Sequence, residues 1–389
     1  MRPHDGREHL HLAARPLLQH AVDDLLRKVK RPVLVVRLLE RASGEPLPEL
    51  QALADEIGHK LPSTDAVELG KWFRDSADSG SLPQYLETFA HTCAVMQTRS
   101  GLTRVAREFV QDLHKDGVIY GELRWAPEQH LRGGLTLDEV VDAVQDGLEQ
   151  GMDAVDAKGG FIRTGQLVTA MRHNDRGLEI AELAVRHRNN GVVGFDIAGA
   201  EKGFLPSRHK LAFEYLASEL FPCTVHAGEA DGIESIEDAI VSGRAQRLGH
   251  GVRIVEDVLV SESQGDTDFV QLGPVARWVY DHGIALELSP SSNLQTGAIE
   301  EFGEEIGDHP FGILYDLGFN VTVNTDNRLM SGTSLTRELR LLTEAFDFEL
   351  DDLEQFQLNA AGAAFQDLED REELKEIILE GFEEQRRKR

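Results

Sequence analysis

Histidine and carboxylate residues recur in short polar motifs through the second half of this chain. "VHAGE" carries His226 and, three residues on, Glu229; "LGHG" sets His250 between two glycines; "VNTDN" carries Asp326 and Asn327. Taken singly, each has an ordinary explanation. A lone histidine is commonly a hydrogen-bonded structural residue, Gly-His-Gly can be only a tight turn, and an aspartate in "NTDN" can cap a helix. Taken together, they suit metal-assisted hydrolysis. Imidazole and carboxylate groups bind Zn²⁺, the ion acidifies a bound water, and a further histidine and glutamate move protons.

That chemistry requires the motifs to meet, and the rest of the sequence says how. Short apolar runs alternate with helix-length amphipathic segments. The strand-like runs lie at 32–39, 118–125, 163–171, 191–199, 222–229, 246–253, 284–293 and 320–327. Between most of them are helical patterns such as "LTLDEVVDAVQDGLEQGMDAVDA", with Thr136 placed to cap. Nearly continuous apolar strands alternating with helices imply a parallel sheet covered on its outer face. Eight such units close most economically into an α/β fold of the (β/α)8 barrel type, whose working groups sit at the C-terminal ends of the strands. His226, Glu229, His250 and Asp326 all fall at such ends, as does Gly199 in "GFDIAGAE". The segment 46–100 exceeds one helix and is expected to form a helical cap over the mouth. Three closing helices are expected after residue 333. A doubly wound sheet is the runner-up, but its early glycine-rich phosphate turn is absent.

Composition narrows the partners. The 389 residues hold 40 basic and 68 acidic side chains, a net of −28. A polyanion gains no counterion-release affinity from such a surface, and an anionic membrane is equally disfavoured. No apolar run approaches the roughly 18–20 residues of a membrane span, and "MRPHDGREHLHLAARP" lacks the apolar stretch of a secretory signal. Two cysteines, Cys93 and Cys223, build neither a disulfide framework nor a thiolate zinc cluster. A cytoplasmic protein is expected.

The motifs "TVHAGEADG", "RLGHGVRI", "LELSPSSNLQTGA" and "VTVNTDNRLMSGTSLTRE" closely resemble the adenosine deaminase family of metal-dependent hydrolases, and "SGSLPQYLETFAHT", "GELRWAPEQH" and "GFDIAGAE" are similar to it too. The resemblance implies one Zn²⁺ per chain, with His226 and Asp326 among its ligands. It implies that Glu229 protonates purine N1 while hydroxide attacks C6, that His250 serves as base and electrostatic stabiliser, and that the Gly199 amide contacts N3. Burying Glu229 under a substrate would keep it protonated near neutral pH, as that step needs. Family members often carry Asp-Asp where this chain has Asp326-Asn327; Asn327 is retained as a substrate contact, donating through its amide. The reaction implied is adenosine or deoxyadenosine plus water to inosine or deoxyinosine plus ammonia. A related substrate, adenine or aminodeoxyfutalosine, is the alternative within the class. The His-x-Glu and Pro-Cys-x-x-Cys signature of the polynucleotide deaminases cannot be made from two isolated cysteines. A small purine nucleoside is therefore the expected partner, with no nucleic acid and no membrane.

The family's other two zinc ligands form a His-x-His at the end of the first barrel strand. His9-Leu-His11 has that spacing, but neither the buried strand before it nor the Asp-Gly after it. The expected place, near 38–40, reads Leu38-Leu39-Glu40. Residues 1–42 hold 9 basic and 5 acidic side chains, against 31 and 63 in the remainder. Residues 1–31 are therefore read as an atypical N-terminal segment and 32–389 as a single barrel domain. Three readings follow: a replaced segment that leaves half a zinc site; His9 and His11 looped back as ligands; or a catalytically impaired homologue that binds a nucleoside or partner without turnover.

Overall fold

The structure is a computed structural model in which residues 10–11, 33–37, 48–264 and 267–388 are described. Among these residues the strands are β1 (Leu10–His11), β2 (Val33–Arg37), β3 (Tyr120–Trp125), β4 (Arg163–Met171), β5 (Val192–Ala198), β6 (Thr224–Ala227), β7 (Arg247–His250), β8 (Val258–Gln264), β9 (Thr267–Leu272), β10 (Ala285–Leu288) and β11 (Val321–Val323). All eight strands expected from the apolar runs are present. They form two parallel sheets, β2-β3-β4-β5 and β6-β7-β10-β11, joined by a parallel bridge between Phe195 and Cys223. The Leu350–Ala363 helix packs on both β11 and β2, the last and first strands of the series. Eight parallel strands in sequence order, separated by helices, are the (β/α)8 arrangement.

Strands β3, β6, β7, β10 and β11 are buried along their length because helices cover one face and the barrel interior fills the other. The Leu137–Asp156 helix starts where the sequence says, at a capping box in which Thr136 and Glu139 satisfy each other's backbone amides. It lies close against the Arg99–Lys115 helix. A Cβ on Gly147 would come within 2.3 Å of the Thr103 carbonyl oxygen, and one on Gly151 within 2.6 Å of Val110 Cβ. Glycine is what lets these two helices touch.

The expected cap consists of four helices, Pro48–Ile57, Ala66–Ala77, Leu82–Glu87 and Phe89–Val95. It carries its own apolar cluster, in which Leu69, Phe73, Ala77, Leu82 and Tyr85 pack against Leu329 and Met330. Those last two residues follow Asp326-Asn327 after a single intervening Arg328, so the cap rests on the rim of the barrel. Each fully buried Leu or Phe here contributes roughly 1.5–3 kcal/mol.

One element was not expected. After β7 the chain makes an antiparallel pair, β8 and β9, before the Pro274–Asp281 helix resumes the barrel. β1 adds to this pair, with Leu10 opposite Val270 and His11 opposite Phe269. The backbone of His11 thus belongs to a sheet separate from the one that carries His226 and His250 and leads into Asp326. His9 lies outside the described residues, as does the stretch 38–40. Both cysteines are free and buried, with thiols pushed up by burial to about 11 for Cys93 and about 12 for Cys223. No helix among the described residues is long and apolar enough to cross a membrane.

Candidate active site

The strand ends deliver the expected residues to one mouth. His226 lies within β6 and Glu229 just beyond it; His250 ends β7; Gly199 follows β5; Asp326 and Asn327 follow β11. All of the side chains among these are at most 7% exposed. His250 and Asp326 have positive φ, 63° and 46°. Left-handed backbone in a non-glycine residue costs of order 1–3 kcal/mol and is retained where the surroundings demand it. The glycine before His250 has a separate reason: a Cβ on Gly249 would sit 3.0 Å from the His226 ring.

His226 and His250 face each other edge-on with centroids 5.4 Å apart, and His250 Nε2 lies 3.4 Å from Glu229 Oε2. The loop bearing Glu229 is fixed by a residue that the sequence reading quoted but gave no role. The Glu201 carboxylate accepts the backbone N–H groups of Gly228, Glu229, Ala230 and Asp231 at 2.6–3.0 Å, and the Ser235 hydroxyl at 2.6 Å. One buried anion thereby orders four consecutive peptide units.

His226 is held from behind by Asp196, whose carboxylate takes Nδ1 at 2.7 Å and the His226 backbone N–H at 3.2 Å. That keeps a proton on Nδ1, facing the Asp196 carboxylate, and turns the Nε2 lone pair inward, the usual arrangement behind a metal-binding imidazole. Asp326 accepts a hydrogen bond from Ser292 Oγ at 2.7 Å. These donors suit a divalent cation in kind. Among the described residues no group of three or more His, Cys, Asp or Glu side chains is placed to hold one.

A second residue given no role in the sequence reading is Arg124, at the end of β3. Its Nε lies 3.3 Å from Asp196, its Nη2 donates to Glu287, and its Nη1 is 3.4 Å from His226 Nε2. Burial opposes the Arg124 charge, but Glu287 and Asp196 outweigh it and hold the pKa above its ordinary value. Arg247 continues the network, with Glu287 at 2.7 Å and Glu122 at 2.6 Å. The available signal was a charge in each of three strands otherwise apolar, "GELRW", "GFDIAG" and "IALELS". A charge in a strand covered on both faces must meet a counter-charge.

Beside this cluster is a cavity of about 400 Å³ between the cap and the strand ends, walled by Leu86, Phe89, Trp125, Met171, Gly199 and Asn327 among others. His173 lines it too. His226, Glu229, His250 and Asp326 are not in its wall; Arg124, which reaches His226, is. Asn327 is fully buried, and neither its Nδ2 nor its Oδ1 has a hydrogen-bond partner among the described residues. A buried amide left so costs about 1–3 kcal/mol, which a polar ligand in the cavity would recover. Mostly apolar walls with a few convergent polar groups are the general form of a small-molecule site.

Comparison with known proteins gives a consistent result. The family model for adenosine deaminase matches residues 43–380. Adenosine deaminase 1 of Streptomyces coelicolor is 54% identical over 334 residues, 85% of this chain and 82% of that protein. Adenosine deaminase of Mycobacterium marinum is 51% identical over 328 residues, 84% of this chain and 88% of its own. Among solved structures, an amidohydrolase from Burkholderia ambifaria with bound Zn superposes with a TM-score of 0.76 at 20% identity, covering 95% of this chain and 94% of that one.

Proposed function

Since the chain belongs to the adenosine deaminase family, we propose that it hydrolyses the exocyclic amine of adenosine and 2′-deoxyadenosine, giving the inosine product and ammonia. The observation that carries this reading is the Asn327 amide, which has no hydrogen-bond partner among the described residues and is buried in the wall of a purine-sized cavity that Gly199 also lines. The fused ring lies between apolar walls. The Gly199 amide donates to N3, and Asn327 donates to N7 through Nδ2. Glu229, held by the Glu201-ordered loop, gives its proton to N1 as C6 becomes tetrahedral, which removes the charge that would otherwise build on the ring. His250 stabilises the attacking oxygen. The protein is taken as one barrel domain, 32–389, behind a distinct segment, 1–31.

A divalent cation, zinc in this reading, would be held by His226 and Asp326. His9 and His11 are the candidates for the remaining ligands. When bound, such an ion lowers the pKa of a water to near neutrality. The alternative of a homologue that binds without turnover draws on one observation, that no group of three or more His, Cys, Asp or Glu side chains among the described residues is placed to hold a metal ion.

Ammonia release from adenosine, deoxyadenosine, adenine and aminodeoxyfutalosine, measured beside zinc per chain after dialysis, tests both readings. Turnover of the two nucleosides with about one ion per chain is the expected result. The Asn327→Leu variant should raise KM for adenosine about tenfold, because an apolar side chain of similar size cannot donate to N7. Binding without ammonia release would establish the alternative.

A further inference from the structure

A line of buried polar side chains runs from the start of the Phe311–Asp316 helix back to His250. Its far end is a backbone amide. The Phe311 N–H can only donate, and it points at His309 Nδ1 over 2.9 Å, so that nitrogen carries a lone pair. Burial, with His250 nearby, pulls the His309 pKa down to about 3, so the ring is neutral and its one proton sits on Nε2. His309 Nε2 lies 3.2 Å from Asn293 Oδ1. The same oxygen receives the backbone N–H of Ser289 at 3.3 Å. Two donors therefore fix which end of the Asn293 amide is the carbonyl.

The amino end of Asn293 then faces His250 Nδ1 at 2.9 Å. An amide NH2 group donates and never accepts, so His250 Nδ1 must accept, and a neutral His250 carries its proton on Nε2. Asn293 is fully buried, and His250 and His309 are each 2% exposed, which leaves little room for water to substitute at any link. His226 is set the opposite way. A carboxylate, Asp196, stands behind its Nδ1, which holds the proton there and leaves the lone pair on Nε2.

We propose that Asn293 and His309 are positioning residues that lock His250 in the Nε2–H tautomer, opposite to His226, so that neutral His250 meets the reacting centre as a hydrogen-bond donor and not as an Nε2 base. The catalytic consequence rests on the deaminase reading; the tautomer does not. A chain anchored at two backbone amides cannot invert by rotating one side chain. Reversing it requires a change of chemistry at Asn293, and Asp is the isosteric change that makes it. An aspartate would accept from both histidines and pull the His250 proton to Nδ1.

The test is a long-range ¹H–¹⁵N spectrum of the full chain labelled at histidine, with His250 assigned by the signals lost in His250→Gln. The expected result is an unprotonated Nδ1 and a protonated Nε2 in the unaltered protein, reversed in Asn293→Asp. The same substitution should lower kcat about 10²-fold, with KM for adenosine changed less than about threefold, since a misplaced proton removes a catalytic contact and not a binding one. His309→Gln, which keeps an amide donor toward Asn293, should retain the tautomer, whereas His309→Leu should give a mixture. A protonated Nδ1 in the unaltered protein overturns the proposal, even where Asn293→Asp does not fold. So does an Asn293→Asp enzyme with the tautomer reversed and kcat within twofold of the parent. If the parent releases no ammonia from adenosine, the deaminase reading fails, while the tautomer result still decides the proposal.

Discussion

The half of the mouth built on β6 and the half built on β7 and β10 each hold a buried histidine, and they treat it differently. Behind His226 stands a carboxylate, Asp196, itself tied to Arg124 and through it to Glu287. Behind His250 stands a neutral amide, Asn293, tied to a second neutral histidine and to two backbone N–H groups. One half is a network of ions and the other a network of dipoles. The comparison teaches that what an imidazole can do at this mouth is set by the atom behind its other nitrogen. An anion there leaves an inward lone pair suited to a cation; a donor there leaves an inward proton suited to an oxygen or a carboxylate.

The comparison can be broken first at the residue that faces the His250 half. Glu229→Gln keeps the shape of the side chain and removes the transferable proton. It should lower kcat for adenosine by about 10³-fold with KM nearly unchanged, measured by steady-state ammonia release, and should leave zinc content as it was. A kcat within tenfold of the parent would remove Glu229 from proton transfer.

Asp196→Asn strikes the ionic half alone. It weakens the hold on His226 Nδ1 and should reduce zinc affinity about 10–100-fold in a chelator competition. Asn293→Asp, in the other half, should leave that affinity unchanged. Equal losses in both variants would mean that the two halves are one unit.

The smallest effect is expected at an exposed ion pair between the Leu137–Asp156 and Gly177–Arg186 helices. The Asp138 carboxyl is brought down to about 2, first by the hydrogen bond from Arg186 and then by that from His187 and by their charges, which together outweigh the opposing effect of burial. A carboxyl depressed in the folded state contributes stability above its unfolded pKa near 4, and that contribution is lost as pH falls toward 2. The side chain is half exposed, so solvent screens the pair. Asp138→Asn should leave activity within about twofold and flatten the acid side of the melting profile only between about pH 4 and pH 2. A loss of activity greater than about twofold would show that the pair is coupled to the mouth.

Much of the barrel was legible because apolar runs at regular intervals have few other uses. The places of His226, Glu229, His250, Asp326, Gly199 and Asn327 at the strand ends were legible too, because these residues lie in short contiguous motifs. What was not legible are the residues that stand behind them. Asp196, Arg124 and Glu287 come from three different strands, and His309 sits at a helix start 59 positions after His250. Their roles exist only once the strands are side by side. The β8–β9 pair was hidden for a different reason. "VLVSESQ" runs from apolar to wholly polar and "TDFVQL" has no regular alternation, in a stretch where the barrel rhythm called for one strand and a helix.

The apolar seat of the cap has a consequence for exchanging parts between relatives. Because Leu329 and Met330 complete the cluster of Leu69, Phe73, Ala77, Leu82 and Tyr85, the cap is not one contiguous module. A chimera that replaced only the four cap helices would set a foreign apolar face on the native Arg328–Ser331 turn, which begins next to Asn327. The transferable piece is discontinuous, the four helices together with that turn, and a graft of both halves would bring a new ceiling to the cavity without disturbing its floor.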